Sequence, residues 1–96
     1  MIIKVPVRST AEVLEANRAL DVCSRLQGRL ALGEATCARL DDIAASTDTP
    51  WAMRQTIKNT IEWRRTSQAM TELGYVLGFT PDQMDTLFSI AMTIEV

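Results

Sequence analysis

Two cysteines and one pair of neighbouring acids are the residues whose types could do chemistry, and their spacing argues against it. Cys23 and Cys37 fit no CxxC motif and are too few for a metal cluster. Asp41 and Asp42 are adjacent. On a helix, adjacent side chains diverge by about 100°, so these two make neither an acid–base pair nor a metal clamp. The chain has no histidine. That removes Ser-His-Asp and Cys-His catalysis, His-bearing zinc sites and the usual proton switch near neutral pH. Gly74 and Gly78 lack the preceding strand and following GK(S/T) of a phosphate loop. The serines and threonines have no base to activate them. No catalytic residue, metal site or cofactor is expected, and function is sought in binding.

Ninety-six residues bound the chain to one domain, 1–96. Apolar residues make up 47% of it, near the upper end of ordinary usage. Either part of that apolar surface faces a partner, or a small core leaves scattered Leu and Ala exposed. The net charge is −2, and both signs are spread along the chain. Residues 1–48 sum to −1, 49–79 to +2 and 80–96 to −3. No segment is a basic or an acidic tail, so wholesale binding to nucleic acid is not expected. The opening Met1-Ile2-Ile3-Lys4-Val5-Pro6-Val7 does not read as a signal peptide, and no apolar run approaches the roughly 20 residues of a membrane span. The expected place is the cytosol of the producing cell.

The elements that must carry any binding surface read as four or five helices. Residues 1–8 form an extended arm, with Ile3, Val5 and Val7 on one face and Pro6 confining it to an edge. Ser9 and Glu12 make a capping box. Behind it Val13, Ala16, Leu20, Cys23, Leu26 and Leu30 stripe a first helix of about six turns, weakened at Gly28 and stopped at Gly33. A shorter second helix runs from Glu34 to Ser46 and folds back on the first as a hairpin. That hairpin leaves Cys23 and Cys37 about one turn out of register, so no disulfide is expected. Thr49 as N-cap and Pro50 as N1 open the longest helix, to Gly78, which Thr66-Ser67 either bends or divides. Thr80, Pro81 and Gln83 open the last. From Ile90 to Val96 the pattern alternates as in a strand. Either residues 90–96 form an extended tail, able to pair with residues 2–7, or the last helix runs on to Thr93.

Two sets of residues suggest binding. Leu40 to Pro50 followed by a long helix looks like a helix-turn-helix, which would turn Arg54 and Lys58 to DNA, set Arg64 and Arg65 on phosphates and pack Ile57 and Ile61 inward. Asp48 stands where the turn usually has glycine. Trp51 and Trp63 are twelve residues apart and so on different faces of one helix. With Arg64 and Arg65 beside Trp63, they have the composition of a protein interface.

The stretch Trp63-Arg64-Arg65-Thr66-Ser67, Leu73 and Leu77-Gly78-Phe79-Thr80-Pro81-Asp82-Gln83-Met84-Asp85, with Leu87-Phe88, resembles small bacteriophage and prophage proteins encoded among morphogenesis genes. The resemblance covers about the last third of the chain. It implies a role in a virion or tail, or in its assembly, and assigns no site residue. The resulting expectation is a mainly α, non-enzymatic structural or assembly protein. Its partners would be copies of itself or a larger phage structural protein. Trp51, Trp63, Arg64 and Arg65 would lie at the interface. The alternative is a helix-turn-helix transcriptional regulator that binds DNA through Arg54, Lys58, Arg64 and Arg65.

Overall fold

The computed structural model describes residues 10–96. It is mainly helical, with one two-stranded antiparallel sheet. The order is α1 (Thr10–Ala19), β1 (Val22–Ser24), α2 (Arg25–Leu32), α3 (Glu34–Ala45), α4 (Trp51–Asn59), β2 (Glu62–Arg64), α5 (Gln68–Leu77) and α6 (Pro81–Ala91). No described helix is long and apolar enough to cross a membrane.

The mainly α class holds, but the chain is cut into more pieces than the four or five helices of the sequence reading. The stripe from Val13 to Leu30 does not form one helix. It breaks at β1, and a second capping box restarts it: Gln27 N–H donates to Ser24 Oγ at 3.1 Å, and Ser24 N–H to Gln27 Oε1 at 2.9 Å. The helix expected from Thr49 to Gly78 is divided by β2. Its start also shifts by one residue, with Pro50 at the N-cap and Trp51 first in the helix. The division expected at Thr66-Ser67 is present, with Ser67 capping α5 by accepting from Met70 N–H at 3.2 Å.

Of the two readings of the C-terminus, a strand or a longer last helix, neither is met in full among the described residues. The arm 1–8, and Ser9 of its capping box, lie outside the described residues. Residues 92–96 make no strand, and α6 runs to Ala91. The sheet instead pairs two interior segments, Val22 against Arg64, Cys23 against Trp63 and Ser24 against Glu62. It clasps α2, α3 and α4 between its strands.

Two glycine stops behave as their sequence positions suggest. Gly33, at φ 85°, ends α2 and leads directly into α3. Gly78, at φ 75°, lets Phe79 N–H reach Gly74 O at 2.9 Å while its own N–H reaches Tyr75 O, closing α5. The opening of α6 is the Thr80–Gln83 capping box, with bonds of 3.1 and 2.8 Å and Pro81 at the first helical turn. Thr80→Ala leaves the Gln83 N–H uncapped. It should cost about 1 kcal/mol, a fall of roughly 5 °C in the thermal midpoint.

The core gathers Leu40 and Ala44 of α3, Ile57 of α4, Trp63 of β2, Met70, Leu73 and Leu77 of α5, and Met84, Leu87, Phe88 and Ala91 of α6. Cys23 of β1 joins it, and both thiols are free. α2 packs chiefly on α6, and α3 on α4. Gln27 of α2 also donates through Nε2 to Ile94 O at 2.9 Å, tying the segment after α6 to the body.

Candidate interaction surfaces

The four interface residues expected from the sequence divide into two kinds. Trp51 opens α4 with 67% of its surface exposed. Arg64 is also exposed and pairs with Glu62 at 2.6 Å. Trp63 is only 2% exposed, because it sits on a strand and points inward under Gly28. Arg65 is 8% exposed and is absorbed by an internal ion pair. The last two therefore do not present the surface that either an interface anchor or a phosphate contact needs.

The ion cluster around Arg65 is built from three distant segments. Asp85 of α6 accepts Arg65 Nε on Oδ1 at 2.9 Å. It also accepts Arg18 of α1 in a two-bond fork, Nε on Oδ1 at 2.8 Å and Nη2 on Oδ2 at 2.7 Å. Arg65 Nη2 donates in addition to Pro81 O at 3.2 Å. The Arg18 hydrogen bonds, then the charges of Arg65 and Arg18, hold the Asp85 carboxyl below its ordinary range against the opposing effect of burial. No sequence pattern links residues 18, 65 and 85; only the fold brings them together.

Beyond Arg18, α1 contributes little to the body. Of residues 11–19 none is buried, and only Ala16 and Arg18 are half-buried. Val13, Leu14 and the following Leu20 are exposed by 44%, 39% and 76%. A second apolar surface is a groove of about 340 Å³ between α2 and α6, where Ala31, Leu32, Phe79, Leu87 and Ile90 meet a polar rim of Asp82, Gln83 and Thr86.

The helix-turn-helix geometry is partly formed. α3 and α4 pack together across residues 46–50. Arg54 is half-buried, with its Nε on Thr49 O at 3.1 Å, and Lys58 is exposed. Ile57 packs inward as expected. Ile61 does not: it lies beyond the end of α4, 71% exposed. Compared with known protein families, curated proteins and solved structures, the chain finds no match.

Proposed function

We propose that the chain is a non-enzymatic structural or assembly protein that works through protein–protein contacts, as a component of a phage-like particle or of its assembly. The producing cell's cytosol would be its site of action before any incorporation into a virion. The observation that carries the contact reading is α1. An isolated helix of ten residues is marginal in water, and this one buries almost nothing of its own. A helix that exposes Val13 and Leu14 is stabilised when a partner covers them. The exposed Trp51 at the head of α4 adds an anchor of the type enriched in interface centres. The phage context rests on the resemblance of residues 63–88 alone.

The test is sedimentation of the full chain. The wild type should move as a species larger than 10.7 kDa, and a Val13→Glu, Leu14→Glu double variant as a monomer. A wild type still monomeric at about 1 mM, where even −4 kcal/mol of association would show, defeats assembly from copies of itself.

A second reading, a helix-turn-helix DNA binder, is favoured by the α3–α4 connection and exposed Lys58. It has lost Arg65 to the interior, and Arg64 already holds Glu62. Affinity for mixed-sequence duplex DNA that falls steeply with salt would favour it. No binding at low salt would remove it.

A further inference from the structure

We propose that the cleft between α2, α3 and α4 is an oxyanion site that takes a carboxylate from an acidic segment of a protein partner. This rests on the reading that the chain works by protein contact. The cleft measures about 330 Å³ and is lined by Arg25 and Arg29 of α2, Asp41 and Ala44 of α3, and Ile57 and Lys58 of α4. Three cations meet one anion there. Among the described residues Asp41 answers only Arg29, at 3.0 Å. Arg25 is held in place by a neutral group, its Nη1 donating to Lys58 O at 2.6 Å. The Lys58 ammonium has no hydrogen-bond or ion-pair partner among the described residues.

These contacts orient the arginines without exhausting them. A guanidinium has five N–H donors, and among the described residues the side chains of Arg25 and Arg29 each spend one. The donors left over, with Lys58, match what a carboxylate accepts, and charge-assisted bonds of this kind are about twice as strong as neutral ones. Ala44 and Ile57 supply an apolar wall, and both are buried. Near such a wall the attraction is screened less than in open water.

Two observations favour a protein carboxylate over the phosphates of a nucleic acid. Among the described residues the cations do not continue as a strip, because Asp41 stands in the cleft and Arg64 is paired with Glu62. Nucleic-acid affinity comes from many phosphate contacts at once. Exposed apolar residues also lie close to the two arginines: Leu26, 56% exposed, lines an adjoining hollow together with Arg29, and Ile61, whose carbonyl accepts Arg25 N–H at 2.7 Å, is 71% exposed. A peptide with leucine beside glutamate covers both features, whereas a sugar–phosphate backbone covers one.

The test uses the full chain and two labelled probes followed by fluorescence anisotropy, a peptide of alternating glutamate and leucine and a mixed-sequence DNA duplex. The peptide should bind, and Arg29→Gln with Lys58→Gln should weaken it by about tenfold, the loss of two partly exposed charge contacts. Arg64→Gln should leave it unchanged. If the double variant melts early, Lys58→Gln alone carries the comparison, since that side chain is exposed. Absence of peptide binding, indifference to the double variant, or tighter binding of the duplex through the same residues overturns the site. Sedimentation of the same samples separates this from the assembly reading. Self-association that persists without peptide binding defeats the anion site and leaves assembly standing.

Discussion

Gly28→Ala should lower the stability measured by urea unfolding by about 3 kcal/mol, although the same change within most helices raises it. Alanine is favoured over glycine in a helix by roughly 1 kcal/mol. Here an added Cβ would lie 2.1 Å from both Cε3 and Cζ3 of Trp63 and 2.9 Å from Cδ2. The indole cannot swing out of the way cheaply. It is 2% exposed, and its backbone is registered against Cys23 in the sheet. Overpacking of a rigid core group costs about 1–3 kcal/mol and occasionally more, and the depth of this overlap places it at the upper end. A double-mutant cycle gives a sharp check. Gly28→Ala in a Trp63→Leu background should lose most of its penalty, since the ring it strikes is gone. A higher midpoint for Gly28→Ala in the wild-type background would mean that α2 does not rest on the indole.

Asp85→Ala is the second large effect. One carboxylate answers two guanidiniums, and removing it leaves Arg65 charged at 8% exposure with only the Pro81 carbonyl as side-chain partner among the described residues. Stranding a buried charge costs about 3–5 kcal/mol. The Asp85 side chain is itself 25% exposed, so about 3 kcal/mol is expected by denaturant unfolding. The pair also makes stability depend on acid. The folded carboxyl is held below its ordinary value, chiefly by the Arg18 hydrogen bonds, so folding releases its proton more readily than the unfolded chain does. The contribution is therefore whole above the unfolded value of about 3.9 and lost as pH falls through the folded one. An Asp85→Ala variant should show a flatter decline of stability in that acid window than the wild type. Equal slopes would argue that Asp85 does not hold the cluster.

Local chemistry made part of this fold legible. Thr80, Pro81 and Gln83 specify their helix start within four residues, and Gly33 and Gly78 mark their stops by conformational freedom alone. The fold departs from its sequence pattern where a local signal is overruled from a distance. Ser24-x-x-Gln27 is a capping box in the sequence too, but it sits inside an apolar stripe that continues through it at helical spacing. The strands at 22–24 and 62–64 are three residues each, too short to show a period, and are fixed by pairing between residues about forty apart. Trp63 turns inward for the same reason, since a helix wheel puts it on one face and the strand pleat on another. Trp51, which needed only its own helix to be located, lies exposed on the surface. The convergence of Arg25, Arg29 and Lys58 gives no linear signal at all, because the whole of α3 intervenes between the first pair and the third.

The clasp formed by β1 and β2 has a mechanical consequence. Val22 and Arg64 sit side by side, so the chain enters and leaves residues 22–64 at one point. Tension carried from α1 to α5 would pull those two ends directly apart, across the strands and not along them. Under that geometry the hydrogen bonds part singly, beginning with Arg65 N–H on Asp21 O, and never share the load. The Arg18–Asp85–Arg65 cluster spans the same junction and would bear force together with the first of those bonds. Under such tension this junction is where β1 and β2 begin to part.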